Sequence, residues 1–491
     1  MSRPQHVRIA IAGSGFAGLG MAIRLKQRGI EDFVVFERAA EVGGTWRDND
    51  YPGCACDVPS HLYSFSFAPN PTWSRAFSPQ AEIQAYLRSC AERFGITPHL
   101  RLEHAVLEAA WNEAEKRWHI QTSRGPFTAE VLISAMGALS EPRLPELPGL
   151  GKFQGKVFHS ARWDHGFELE GKRVAVVGTG ASAIQFVPAI QPKVRKLDLY
   201  QRTPPWIVPR RDRAISGFER GVFRSLPAAQ RLVRGAIYSV RELMVLGFMH
   251  PSLMRPVQRL ALRHLARQVP DPALRARLTP NYAIGCKRIL ISNDYLPALG
   301  QPNVEVITDG IGEVRANGVV TRDGTERPAD AIIFGTGFQV TDPPAARHIR
   351  GRDGRTLAET WNGSPQAYLG TTFAGFPNLF MLLGPNTGLG HTSVVFMIEC
   401  QISHVLRALR FMDERSVAAL EPRAEAQAAF VAELERRLGP TVWNAGGCAS
   451  WYLDATGRNS TIWPGSTWAF KRRVERFEPG NYLCTPSAAH A

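Results

Sequence analysis

The chain has 491 residues, too many for one hydrophobic core, so two or three domains are expected. Its hydrophobic fraction of 44% and charged fraction of 21% are those of a folded globular protein and exclude a disordered or fibrous one. The net charge is +14, but no run of five Lys/Arg and no nucleic-acid motif accompanies it; this excludes a nucleic-acid partner and reads as a solvated basic surface that attracts an anionic cofactor.

In chain order, "HVRIAIAG" predicts a strand, with no signal peptide before it. The loop Gly13-Ser14-Gly15-Phe16-Ala17-Gly18 follows, then a helix ending at Gly29, then the strand "FVVFER" ending in Glu37. Strand, glycine loop, helix and acid stand in the order a dinucleotide site requires. Gly13 makes the tight turn, Gly15 lets the backbone approach a pyrophosphate, and Gly18 lets helix pack on strand. The helix N-terminus faces the phosphates. Glu37 can accept from both ribose hydroxyls, which suits an adenosine without a 2′-phosphate, so this unit is expected to bind FAD.

A second unit starts at "KRVAVVGTGASAIQ", with Gly178, Thr179, Gly180, Ser182 and Ala183 in the loop. Its second strand ends in Gln201-Arg202-Thr203 in place of an acid. An acid would repel a 2′-phosphate, whereas Arg202 and Thr203 can bind one, so this unit is expected to take NADPH. Residues 211–279 are Arg- and Leu-rich and strand-poor, and predict a helical insertion whose spacing reads as packing plus a solvated face. Its most apolar stretch, "AIYSVRELMVLGFMHPSLM", is broken by Arg241, Glu242 and Pro251; it is no transmembrane span and leaves a peripheral membrane contact open.

The expected fold is therefore α/β, with two dinucleotide-binding (Rossmann-like) domains and a helical insertion in the second. Residues 1–145 form the first part of the FAD domain and 146–210 the first part of the NADPH domain. The insertion covers 211–279, the NADPH domain resumes over 280–340, and 341–491 return to the FAD domain and the C-terminal region. The seven cysteines, Cys54, Cys56, Cys90, Cys286, Cys400, Cys448 and Cys484, are odd in number and show no C-x-x-C. They predict neither a disulfide framework nor a metal site, and a reducing cytoplasm.

Two nucleotide units imply hydride passing from NADPH to a flavin. Disulfide reductases of this layout carry a redox Cys pair after a Gly-Gly-Thr-like turn. Here "GGTWRDNDYPGCACD" places Trp46 where a Cys is needed, so oxygen is the expected acceptor. The segment "FQGKVFHSARWD" at 153–164 fits F-x-G-x-x-x-H-x-x-x-W-[PD], and positions 44–57 fit G-x-W-x-x-x-x-[FY]-P-G-x-x-x-D. With these signatures the chain resembles the type I Baeyer–Villiger monooxygenases of the flavin-containing monooxygenase superfamily. The resemblance runs in register through Gln201-Arg202-Thr203, "GCKR" at 285–288, Gly335-Thr336-Gly337 and "SWYLDATGRN" at 450–459.

The resemblance implies that a C4a-peroxyflavin inserts one oxygen of O2 beside a ketone carbonyl, giving an ester or lactone. It implies Arg288, Asp57 and His159 as the catalytic set. Gly44, Thr45, Trp46, Asp57, Tyr63 and Val106 would line FAD; Lys287, Arg288 and Trp451 would join the NADPH site. A guanidinium stays charged and holds several donors in a plane, which suits a peroxide anion and the oxyanion of the tetrahedral adduct. Spacing alone leaves Asp57 and Arg288 open to an ordinary structural ion pair. His159 and Trp163 are expected to act as a hinge device between the two domains. The segment "TGLGHTSVVFMIE" departs from the Ser-rich version of the cyclic-ketone members, and "DATGRNSTIWPGSTWAF" resembles a subgroup linked to linear, aromatic or steroid ketones, which leaves the ketone open. The alternative chemistry is N- or S-oxygenation of amines or sulfides; an uncoupled oxidase or redox sensor would show a degraded glycine loop or no Arg288, and neither is seen. The partners expected are a small ketone and O2, with no integral membrane segment, for a monomer or homodimer.

Overall fold

The structure, a computed structural model, describes residues 3–487. Two sheets organise the chain. In the first, strand Gln5–Ala12 lies parallel between Phe33–Phe36 and Gly125–Ser134. Leu100–Arg101 extends one side, and Arg117–Thr122, Val106–Asn112 and Ile349–Arg350 extend the other. Leu379–Met381 also pairs with Gly125–Ser134. The central strand is apolar on both faces, as a strand covered on both sides must be. Ile9 and Ile11 enter the core beneath helices Phe16–Lys26 and Val394–Glu414. Val7 and Ala10 enter the opposite core, with Trp111 and Trp118.

The second sheet is wholly parallel, in the order Val304–Ile307, Lys196–Tyr200, Arg173–Val177, Ala331–Phe334, Lys156–His159. The segment at 153–164 belongs to this sheet. It supplies an edge strand, with His159 paired to Phe334. Trp163 packs into the same core, its ring 5.1 Å from Phe158 and 5.4 Å from Phe186.

Helices Gly217–Ser225, Pro227–Met249, Arg255–Gln268 and Pro272–Arg277 lie between the paired short strands Ile207–Val208 and Leu290–Ile291. Ser216 and Glu219 form a capping box that starts the first of them. No helix among the described residues is long and apolar enough to cross a membrane.

One expectation is corrected. Cys286 and Cys448 form a disulfide with their Cα atoms 6.2 Å apart, while Cys54, Cys56, Cys90, Cys400 and Cys484 are free. The odd count concealed one bridge. Its partners are 162 residues apart and meet only because the 285–288 loop and the 446–450 loop pack in one apolar cluster.

Candidate active site

The first glycine loop is a cradle of backbone. Gly13 has φ +104°, and a Cβ there would lie 2.6 Å from the Ala135 carbonyl oxygen. Gly18 sits so close to the loop that a Cβ would be 1.8 Å from the Gly13 oxygen. The buried Phe16 and Ala17 open the helix at the end of this loop. Glu37 is buried just past strand Phe33–Phe36. Its Oε2 accepts from the Ser14 N–H (3.1 Å) and hydroxyl (2.6 Å), its Oε1 accepts from the Ala39 N–H (3.0 Å), and Arg47 pairs with it at 2.9 Å. Gly44 and Thr45 begin a short helix facing Gly15. Trp46 donates its indole N–H to the Tyr63 hydroxyl at 3.1 Å, and Tyr63 meets Phe16 edge-on at 5.2 Å. Val106 opens its strand half-buried on the Phe36 side of the sheet. A backbone concavity with a buried carboxylate at the strand end fits FAD.

The second loop repeats the device. Gly178 has φ +111°, and a Cβ there would lie 2.5 Å from the Gly335 oxygen. Gly180 leaves its side open, and Ser182 precedes helix Ala183–Ile190. The Thr179 hydroxyl donates to the Thr203 carbonyl at 3.1 Å, tying the loop to the 201–203 turn. Lys287 lies over the Tyr282 ring at 5.0 Å, and burial, then the nearby charge of Arg202, lowers its pKa. Neither cation has a carboxylate within ion-pair distance among the described residues. Two neighbouring uncompensated cations at this strand end fit a 2′-phosphate.

Between the two cradles, Arg288 grips Asp57 with both ends of its fork. Nε donates to Oδ2 at 2.8 Å and Nη2 to Oδ1 at 2.9 Å. Protein surrounds the pair, yet 28% of Asp57 and 29% of Arg288 remain open to the cleft. Burial pushes the Asp57 carboxyl up, but the charge and hydrogen bonds of Arg288 outweigh it and hold the carboxyl below its usual range. The charge of Asp57 in turn keeps the guanidinium above its usual value despite burial. Cys54 and Cys56 flank this loop as free thiols, with Cys54 pushed up to about 12 by burial. Cys54 and Cys56 are not bonded to each other, so the loop carrying Asp57 holds no disulfide that could receive electrons.

Residues 10–216 match the family described as pyridine nucleotide-disulphide oxidoreductase. A Baeyer–Villiger monooxygenase from Streptomyces coelicolor is 56% identical over 482 residues, 97% of this chain and 92% of that protein. Another from Pseudomonas aeruginosa is 55% identical over 99% of this chain and 93% of its own length. The chain belongs to the Baeyer–Villiger monooxygenases. It is an FAD-dependent, NADPH-linked oxidoreductase. Cyclohexanone monooxygenase from Rhodococcus sp. Phi1 bound to NADP+ superposes with TM-score 0.87 at 28% identity, covering 99% of this chain and 100% of that one. A steroid monooxygenase bound to NADP superposes at 0.86 and 29% identity, covering 98% and 100%.

Within this Baeyer–Villiger fold, Asp57 and Arg288 come together and His159 does not join them. His159 is buried against the 335–338 loop: Nδ1 accepts from the Ala161 N–H at 3.1 Å, Nε2 has no hydrogen-bond partner among the described residues, and the ring meets Phe338 at 5.8 Å. Burial lowers its pKa to about 4, so it is neutral at neutral pH. Trp451 is 44% exposed and leans on Tyr452, which is buried in the field of Arg288 and Asp57 and pushed up to about 12 by that burial. Sequence reading passed over Tyr452, one position from the expected Trp.

It also passed over Gln185. From helix Ala183–Ile190 the Gln185 side chain accepts from the Tyr51 hydroxyl (3.0 Å) and the Ala55 N–H (3.2 Å), and donates to the Ala55 carbonyl (2.9 Å). The loop carrying Asp57 is thus latched to the NADPH cradle. Ser14 and Arg47, which hold Glu37, sit inside motifs already singled out; Gln185 carried no local signal.

Proposed function

We propose that this enzyme converts a small ketone, O2, NADPH and a proton into an ester or lactone, NADP+ and water, with Arg288 as the catalytic cation and Asp57 as its positioning residue. The single observation that carries the reading is the two-pronged Asp57–Arg288 pair in the cleft between the two nucleotide cradles. FAD held in the first cradle, once reduced by NADPH, supplies the oxygen activation. As a nucleophile adds to the ketone, negative charge develops on the carbonyl oxygen. The Arg288 fork is held in place by Asp57 and stays charged, so it meets that charge without reorganising. The charge and hydrogen bonds of Arg288 hold the Asp57 carboxyl below its usual range, which favours the ionised form that anchors the fork.

Arg202, Thr203 and Lys287 recognise the 2′-phosphate, and Glu37 the adenosine ribose of FAD. His159, neutral and wedged against the 335–338 loop, and Trp163, packed on Phe186, set the height of the NADPH cradle. They are positioning residues. The need for NADPH supports a cytoplasmic place of action, for a monomer or homodimer.

The test is product analysis with NADPH and O2 on linear, cyclic, aryl and steroid ketones beside a thioether and a tertiary amine. Ester or lactone formation is expected. Amine oxide or sulfoxide with no ester from any ketone would refute the reading.

A further inference from the structure

Helix Pro227–Met249 turns an apolar stripe outward. Its charges point inward. Arg234 donates to the His61 carbonyl (2.6 Å) and the Ser64 hydroxyl (3.1 Å), and Glu242 accepts from the Thr467 N–H (3.0 Å) and hydroxyl (2.7 Å) and pairs with His391 (3.0 Å). Val245 and Phe248 are buried, but a second set of apolar residues points outward. Leu232, Val240, Leu243 and Leu246 are 76%, 66%, 67% and 49% exposed. Their spacing, with exposed Ala236, puts them on one stripe. A solvated helix face carries charges, and this one carries only Arg231. Adjoining elements continue the character: Phe218 on the preceding helix, Leu226 at the join and Leu253 on the following turn are exposed. So is Trp468, which meets Tyr238 of the helix at 6.1 Å.

The stripe sits in the most basic part of the chain. Residues 211–279 hold thirteen arginines against four carboxylates, a net +9 of the chain's +14. The carboxylates are largely spent: Asp212 pairs with Arg75, Glu219 with Arg213, and Glu242 is buried with His391. Arg255, Arg259, Arg263 and Arg267 on the next helix are exposed and have no ion-pair partner among the described residues. A second copy of the chain laid on this face would bring two such charges together, so charge disfavours it. An exposed apolar stripe bordered by arginines, on a helix too polar to span, matches a helix lying in the plane of an anionic interface.

We propose that the outward face of helix Pro227–Met249 docks on an anionic phospholipid surface. The apolar stripe enters the headgroup boundary and the flanking arginines meet lipid phosphates. The opposite face of the same helix carries Arg241 toward the Asp57–Arg288 pair. Docking would therefore place the cleft close to where water-insoluble ketones collect. The inference rests on the surface alone and stands whichever ketone is oxidised.

The experiment is flotation of the full-length holoenzyme with vesicles of phosphatidylcholine alone and of phosphatidylcholine with phosphatidylglycerol, at low and high salt. Binding to the mixed vesicles, weakened by salt, is expected. The double variant V240D/L243D should bind at least about tenfold more weakly per site, because each side chain forfeits its transfer out of water. Both positions are exposed, so its thermal unfolding and its turnover of a water-soluble ketone should match the parent; these controls separate lost docking from misfolding. R259Q/R263Q should keep the fold and lose preference for the anionic lipid. The proposal is overturned if the parent does not float with mixed vesicles at low salt, or if V240D/L243D floats equally well. It is also overturned if the parent is a dimer that V240D/L243D converts to a monomer, since the stripe would then be covered by a second copy.

Discussion

Replacing Asp57 by Asn isolates what the carboxylate does for Arg288. Two charge-assisted hydrogen bonds are lost, each worth about 1.5–3 kcal/mol when desolvated. With 28% and 29% of the two side chains open to the cleft, that sum is discounted by about half. Asn restores one neutral acceptor, so the net loss is about 1–3 kcal/mol. If Asp57 acts by holding the fork for the transition state, ester formation should slow by about 5- to 150-fold. Arg288→Ala should cost more, about 100- to 1,000-fold, because it removes the charge itself. Two readouts are needed: the steady-state rate of ester formation, and the single-turnover rate at which NADPH bleaches the flavin absorbance. D57N should depress the first more than the second. The double variant D57N/R288A should be no slower than R288A, since Asp57 then has nothing to hold. Additive losses in the double variant, or an unchanged ester rate in D57N, would refute the positioning role. Acid stability gives an independent check. The Asp57 carboxyl titrates below its ordinary value when folded, so the pair's contribution is present above the unfolded pKa and is lost as pH falls through the folded one. D57N should lack that acid-side loss.

Arg202→Ala should raise the KM for NADPH by about 10- to 100-fold and leave that for NADH nearly unchanged, as expected for one charge-assisted phosphate contact; equal effects on both would remove the assignment. His159 has a folded pKa of about 4 against an ordinary 6.5, so the unfolded chain binds the proton first and stability is lost as pH falls through that window. Between pH 7 and pH 5 this amounts to about 2 kcal/mol, and His159→Asn should flatten the acid side of a urea-denaturation series by that much; no change in slope would show that the ring is not buried neutral. Gln185→Leu breaks three hydrogen bonds of the Asp57 loop and should lower coupling of NADPH oxidation to ester formation while FAD stays bound; loss of FAD instead would mean that the latch is a folding contact. Gly13→Ala puts a Cβ 2.6 Å from the Ala135 oxygen and should give a protein that fails to load FAD, read directly from its visible spectrum.

Why some of this was readable and some not follows from how far apart the cooperating residues lie. Each glycine loop is a strand, turn and helix within about thirty residues, so the order of Gly13, Gly15, Gly18 and Glu37 already states the geometry. Asp57 and Arg288 are 231 positions apart, and only the resemblance joined them. Cys286 and Cys448 are 162 apart with no resemblance to join them, and they were missed. The strand inside the 153–164 segment is not legible locally, because it is four residues long and pairs with Ala331–Phe334, far along the chain.

The insertion shows a different failure. The Leu/Arg spacing of residues 211–279 reads as a packing face plus a solvated face, and an apolar face ordinarily packs inward. Here the inward side buries Val245 and Phe248 but also meets polar loops and the Asp57–Arg288 pair, for which it supplies Arg234, Arg241 and Glu242. The apolar side is what remains. Periodicity separates two faces of a helix but does not say which of them the fold will claim. That is decided by what lies beneath the helix. Arg241 and Val240 are neighbours in the chain, yet one points toward the Asp57–Arg288 pair and the other stands 66% exposed. Substituting Val240 and Leu243 therefore tests the outer surface without touching the inner one.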